Sequence, residues 1–298
     1  RFGPPEVLAP ADVAEPVPGA GEVKVRVHAA GLSPLDWKLR AGHLGLLPIG
    51  RPPRGLGCEF AGTIVGTGGG AHARHVGERV FGTVSPFAHD GAFAEYVVVR
   101  HDAIAPLPDA LDFVGAAALP IAGGTALQAL ADVARVAAGQ RVLVTGAAGG
   151  VGHFAVQVGK HLGAYVVGVC GPANVDFVRA QGADEVVDYA KDDFTRRSDC
   201  FDVVFDAASA STYHAARAVL TVSGVYVSTS GSAAAVASTV VGDLLGRLTS
   251  RRRAVAFRLR TGAAQWQRLA ALAATGALRP HVERTIVLDE VAAALGAM

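Results

Sequence analysis

Residues 142–157 read VLVTGAAGGVGHFAVQ. An apolar run ends at Thr145. An amphipathic helix is expected from near Gly150, with Val151, Phe154, Ala155, Val158 and Leu162 on one face. Between the two lie Gly146, Gly149 and Gly150, and Gly152 follows. A turn this tight needs residues without a Cβ. A pyrophosphate can then approach the backbone and rest on the helix N-terminus, where unpaired N–H groups and the helix dipole favour an anion. The spacing Ala-x-Gly-x-x-Gly from Ala147 is a variant of the dinucleotide fingerprint, with strand and helix where the fingerprint needs them. The competing reading is a glycine-rich strand–helix turn that binds nothing.

Downstream, AYVVGV (164–169), ADEVVDY, DVVFDA (202–207) and GVYVST (224–229) read as further buried strands separated by helices. Near-continuous apolar strands of this kind imply a parallel sheet covered on both faces. The end of the second strand chooses between nicotinamides, because an NAD site carries Asp or Glu there for the ribose hydroxyls. Here the residues are Gly168–Val169–Cys170–Gly171, and Asn174 can donate a hydrogen bond. NADP(H) is the expected cofactor, although the loop brings no Lys or Arg.

Upstream, the first 110 or so residues alternate in the manner of strands. Val23, Val25 and Val27 interleave with Glu22, Lys24 and Arg26, and ERVFGTV and GAFAEYVVV read as two more strands. Near residue 112 the texture becomes Ala-rich and helical, with interruptions expected at Pro120 and Gly123–Gly124. The tail offers a helix (263–275), RPHVERTIVL as a strand, and the start of another helix. The expected division is 1–114 joined by 261–298, and 115–260. The fold class is α/β.

With 298 residues, 51% of them apolar, the chain can build two sizeable cores. A formal charge of +1 leaves no nucleic-acid footprint. Arg247, Arg251, Arg252, Arg253, Arg258 and Arg260 read as a solvated loop, and His72 with His75 as a surface loop rather than a metal pair. Cys58, Cys170 and Cys200 make neither a disulfide framework nor a CxxC site, which fits a reducing cytoplasm. No stretch reaches the ~18 apolar residues of a membrane span. No signal peptide is visible, and the first residue, Arg1, suggests a trimmed chain.

Several segments, taken in order, resemble one family: GLSPLDWKLRAGHL, LPIAGGTALQAL, GAAGGVG, FVRAQGADEVVDY and TGALRPHVERTIVLDEVAAAL. The chain resembles the medium-chain dehydrogenase/reductase superfamily, in its zinc-independent quinone oxidoreductase-like branch, and GPANVDFVRAQGADEVVDY is most similar to alkenal and enone reductases. The resemblance implies a GroES-like β domain for substrate, a Rossmann domain for cofactor, and NADP(H) held in a cleft. It implies that Thr125 faces the cofactor from the linking helix, and that Gly149, Gly150 and Val151 form the pyrophosphate turn. Asn174 and Tyr189 then stand near the adenosine 2′-phosphate. Ser228 and Thr229 stand near the nicotinamide, as does Phe257. It further implies a homodimer formed at the GVYVST edge. Ser33 and Leu44 depart from the branch's usual Asn and Tyr, and neither the family's strand before the Arg1 region nor its Gly-Lys-led strand after Met298 is read in this sequence, which leaves one expected cofactor contact open.

Zinc-dependent cousins ligate metal at the positions of Ser33, Cys58 and Ile121. Ile121 cannot ligate and serine is a poor ligand, whereas zinc needs at least three good donors. No metal is expected, and Cys58 reads as a packing residue ahead of a nucleophile or ligand. Without a Lewis acid the substrate must carry its own electron sink, as quinones, enones and enals do. Ser33 is the candidate to hydrogen-bond the substrate carbonyl or cofactor amide. His43 is the candidate to relay a proton or line the entrance, while Asp36 and Lys38 order the same loop. A non-catalytic NADPH-binding protein and a zinc-free alcohol dehydrogenase relic are the alternatives.

Overall fold

The computed structural model describes residues 1–43, 52, 54–71, 74–198, 200–229, 236–237, 239–241, 243 and 251–298. Leu44, His72 and Arg247 lie outside them. The chain divides into two compact units, Arg1–Ile121 with Arg260–Met298, and Ala122–Leu259.

The first unit is built on five strands: β1 (Glu22–Gly31), β2 (Glu59–Thr67), β3 (Arg79–Thr83), β4 (Tyr96–Arg100) and β5 (Ile104–Pro106). They form one antiparallel sheet in the order β4-β1-β2-β3-β5. Alternation explains β1: Val23 and Val25 are fully buried while Arg26 is exposed. Phe60, Ile64, Val80 and Ile104 complete that apolar face. The stretch GAFAEYVVV becomes a strand only from Tyr96. Ahead of it, Ala92 and Phe93 donate their N–H groups to Gly57 and Leu56, outside any ladder.

Helix α1 (Pro34–Ala41) has conventional ends. Ser33 occupies its N-cap, Pro34 its first turn, and Gly42 closes it in the left-handed conformation at φ 78°. Helix α2 (Phe113–Ala117) is capped by Asp112, whose Oδ1 accepts from Gly115 N at 2.7 Å. The C-terminal helix Ala263–Ala274 returns to this unit. It buries Trp266 and Leu269, and Trp266 Nε1 donates to Ala103 O at 2.9 Å. RPHVERTIVL is not a strand. No described strand pairs with it and its side chains are mostly exposed, so alternation had no ladder to join.

In the second unit, α3 (Pro120–Leu127) runs straight through Gly123–Gly124, which do not interrupt it, and continues into a π-helical turn over Gln128–Ala134. Six strands follow: β6 (Arg141–Thr145), β7 (Tyr165–Cys170), β8 (Glu185–Asp188), β9 (Phe201–Asp206), β10 (Leu220–Ser228) and β11 (Arg253–Ala256). Helices α4 (Gly150–His161), α5 (Val175–Ala180) and α6 (Tyr213–Ala216) lie between them. Every neighbouring pair is parallel, in the order β11-β10-β9-β6-β7-β8. Counted from β6 that is 3-2-1-4-5-6, the Rossmann order. Helix α4 is more buried than an amphipathic stripe requires: His153, Val156 and Gln157 are covered as well. Its polar members are matched locally, with His153 Nδ1 3.1 Å from Gly149 O and Gln157 Nε2 donating to Gln181 Oε1 at 2.8 Å.

Candidate functional site

In an open parallel sheet, ligands bind beyond the carboxyl ends of the strands where the order reverses. Here that point is the end of β6, flanked by β7 and β9. The chain leaves β6 at Thr145 and turns through Gly146 at φ 63°. A Cβ on Gly146 would stand 2.5 Å from the Ala208 Cβ, and one on Gly152 would collide with the Gly146 carbonyl. Gly149 N donates to Gly146 O at 2.9 Å, which closes the turn. Gly149 then serves as N-cap of α4 with no side chain capping it, and nothing lies within 4 Å of a Cβ placed on Gly150. Among the described residues no side chain caps the first N–H groups of α4, the arrangement that cradles a pyrophosphate. The residues fit a dinucleotide.

Around the next strand ends, Asn174 N donates to Gly171 O at 3.0 Å and Tyr189 N to Cys170 O at 3.1 Å. A Cβ on Gly171 would lie 2.9 Å from the Tyr189 hydroxyl. Asn174 and Tyr189 thus belong to one exposed cluster. A carboxylate is nearby as well, which reading strand by strand did not reveal. Asp188 pairs with Cys170 across β8 and β7, and it helps burial push the Cys170 thiol up. Lys191 Nζ, 3.4 Å from Asp188 Oδ2, offsets that charge. On the other side, Thr229 N and Oγ1 donate to Asp206 O at 3.2 and 3.3 Å, and Phe257 N donates to Ser228 O at 2.8 Å. Ser228, Thr229 and Phe257 therefore meet at the ends of β10 and β11. Thr125 is buried on α3.

The first unit holds a different arrangement. Ser33 N and Oγ both donate to Asp36 Oδ2, at 2.8 and 2.9 Å. Asp36 is fully buried, with the Cys58 thiol and the Gly57 N–H also beside its carboxyl. Burial raises its pKa above the ordinary carboxylate range, against the lowering effect of the Ser33 bonds. Glu59, also buried, accepts from Ile121 N at 2.8 Å. Burial, reinforced by the charge of Asp36, pushes the Glu59 carboxyl up to about 8. Cys58 packs among Leu39, Leu56 and Leu295. Burial and the neighbouring carboxylates hold its thiol well above the ordinary range, which disfavours a free thiolate there. His43 lies past the opposite end of α1 from Ser33, exposed, with its ring edge-on to Trp37. The eight-residue helix sets the two candidates roughly 12 Å apart along its axis.

This donor set does not fit zinc. At the three cousin positions stand a hydroxyl committed to Asp36, a single thiol packed among leucines, and an aliphatic residue whose backbone serves Glu59. Among the described residues no three His, Cys, Asp or Glu side chains converge to hold a metal ion.

Comparison with known proteins agrees with this architecture. The family model described as alcohol dehydrogenase GroES-like domain matches residues 19–109, and that described as zinc-binding dehydrogenase matches 181–298. The structure of the quinone oxidoreductase from Coxiella burnetii superposes with a TM-score of 0.85 at 30% identity, over 99% of this chain and 92% of that one. An Escherichia coli quinone oxidoreductase complexed with NADPH gives 0.84 at 26% identity, over 99% and 93%. The chloroplastic quinone-oxidoreductase homolog of Spinacia oleracea is 38% identical over 192 residues, 63% of this chain and 58% of that protein. The chain spans somewhat more than half the length of the curated relatives it matches. With a GroES-like β unit, a Rossmann sheet and these likenesses, the chain belongs to the medium-chain dehydrogenase/reductase superfamily, in its quinone oxidoreductase-like branch. No helix among the described residues is long and apolar enough to cross a membrane.

Proposed function

We propose that the chain is an NADPH-dependent reductase that passes hydride to a quinone or an α,β-unsaturated carbonyl without a catalytic metal. One observation carries the reading: the uncapped N-terminus of α4 behind a glycine turn, at the switch point of a 3-2-1-4-5-6 sheet. When bound, the reduced nicotinamide supplies the hydride. Gly149, Gly150 and Val151 hold the pyrophosphate through their backbone. Asn174 and Tyr189 hold the 2′-phosphate, with Lys191 masking Asp188. Thr125, Ser228, Thr229 and Phe257 border the nicotinamide. Residues 115–260 form the cofactor domain, and 1–114 with 261–298 the substrate domain. The NADPH of the Escherichia coli relative supports this choice of nucleotide over NAD.

The misfit of Ser33, Cys58 and Ile121 to zinc supports the metal-free half of the proposal and selects acceptors that delocalise their own negative charge. With Asp36 ionised, the Ser33 proton points at Oδ2 and the hydroxyl can only accept. Protonated Asp36 frees Ser33 to donate to an acceptor's carbonyl oxygen. His43, exposed beyond α1, lines the approach rather than sharing a proton with Ser33. The enzyme acts as a homodimer in the cytoplasm on a small-molecule substrate. The test is a panel of quinones, enones and enals with NADPH, with and without a chelator. Chelator-insensitive loss of NADPH absorbance with at least one acceptor class is expected. Bound NADPH with no turnover across the panel would overturn the reading in favour of a non-catalytic binder, and activity lost on chelation and restored by zinc would overturn its metal-free half.

A further inference from the structure

Parallel strands buried on both faces are expected to be apolar throughout. Three central strands of this sheet depart from that at their last residue. Thr145, Asp206 and Ser228 pair laterally across β6, β9 and β10, and all three are buried. A buried carboxylate is costly unless donors meet it. Asp206, at 0% exposure, is met four times. Thr145 Oγ1 donates to Oδ1 at 2.6 Å and Ala210 N to the same atom at 3.0 Å. Ser211 N reaches Oδ2 at 3.3 Å and the Tyr226 hydroxyl reaches it at 3.0 Å. Tyr226 also lies 2.9 Å from Ser211 O, and the Ser228 hydroxyl bonds the Tyr226 oxygen. One hydrogen-bonded chain thus runs from Ser228 through Tyr226 and Asp206 to Thr145, the residue that opens the glycine turn.

The same carboxylate pins the loop that follows β9. Ala210 and Ser211 are bound to it by their backbones, and between them and β9 lie Ala207, Ala208 and Ser209. Ser209 is held at φ 54°, a left-handed conformation that a serine rarely adopts and that surrounding bonds must enforce. Ala208 is the residue that closes against Gly146. From this we infer that Asp206 is a positioning residue of the cofactor site. Through Thr145 it fixes where the glycine turn begins, through Ala210 and Ser211 it presses Ala208 onto Gly146, and through Tyr226 it ties that geometry to Ser228. It touches no reacting atom. This inference rests on the nucleotide reading above.

The test uses D206N, T145V and Y226F in the full chain, with V203A as a control that removes apolar volume from the middle of β9. NADPH dissociation constants come from fluorescence titration, kcat and KM from turnover at saturating NADPH, and loop protection from amide hydrogen exchange at Ala210 and Ser211 without cofactor. T145V and Y226F, each losing one hydrogen bond of ordinary strength, are expected to weaken NADPH binding about 3- to 10-fold with kcat nearly unchanged. D206N is expected to weaken it further and to expose both loop amides to exchange. V203A should lower the melting temperature without moving the dissociation constant. Wild-type-like NADPH affinity in all three variants, or an equal weakening in V203A, would overturn the inference while leaving the function standing. A wild-type chain that binds no NADPH would overturn both.

Discussion

Asp36 and Asp206 are equally buried, yet their surroundings differ in kind. Asp206 stands at the end of a parallel strand where two backbone amides and two hydroxyls converge on its two oxygens. Asp36 takes two hydrogen bonds from Ser33 on one oxygen, has the Cys58 thiol and the Gly57 N–H beside its carboxyl, and shares the unit's interior with a second carboxyl, Glu59. Burial alone does not decide what a carboxylate does. Where its donors come from matters as well: those of Asp206 lie on two other strands and the loop after β9, whereas those on Asp36 Oδ2 come from the adjacent helix cap. The Rossmann unit therefore holds its carboxylate as a structural tie, while the β unit holds two that resist ionisation.

The contrast can be broken most severely at the turn itself. G152A places a Cβ against the Gly146 carbonyl, which cannot move without opening the turn, whereas G69A in the β unit meets nothing within 4 Å. NADPH affinity is expected to fall on the order of 100-fold in the first, since a displacement near 1 Å at such a site carries that cost. In the second it should stay unchanged, with fluorescence titration reading both. Equal affinities would show that the turn tolerates a side chain and does not approach a nucleotide.

A second experiment tests the β unit. The folded chain keeps the Glu59 proton up to about pH 8, against an ordinary value of 4.5, because burial disfavours the charge. Its contribution to stability is therefore complete below pH 4.5 and is lost as pH rises through about 8. Over that window wild-type unfolding free energy should fall by on the order of a few kcal/mol more than that of E59Q, which keeps an acceptor for Ile121 N. Denaturant melts at several pH values measure it. Parallel pH profiles for the two proteins would mean that Glu59 ionises freely in the folded state.

The smallest effect lies on the alkaline side of the Asp206 network. Burial, with Asp206 beside it, pushes Tyr226 up to about 12 from 10, so its stabilising share is intact below pH 10 and disappears as pH climbs through 12. Y226F should lose that added alkaline slope while keeping the slope of the other tyrosines. An unchanged slope would remove Tyr226 from the network.

The glycine turn, five of the six strands of its sheet and the alternation of β1 were legible, because each is a local pattern of Cβ-free or apolar residues at a fixed period; β11 was not, since Arg253 reads as part of a solvated arginine loop and becomes a strand residue only by pairing with β10. RPHVERTIVL shows the limit: its alternation is as good as that of β1, but a strand needs a partner that its own residues cannot supply. Within the candidate site, Asn174 and Tyr189 both lie beside Gly171, whereas the carboxylate of Asp188 beside Cys170 follows only from the register of β7 with β8. A signal for Asp206 was present. RVLVT, DVVFD and VYVS each end an apolar run on a polar residue, and that repetition marks the sheet end where hydrogen-bonding side chains gather.

The order of residues alone determined that this chain makes a dinucleotide-type turn and two units of different texture. These are matters of composition and short-range spacing, which need no folded neighbour to be read. Only the tertiary structure decided that Cys58 is a packed thiol and that Asp206 draws three strand ends and a loop together. Hydrogen bonds between residues 20 to 61 positions apart, and the desolvation that raises a pKa, exist only once distant segments close around the same point.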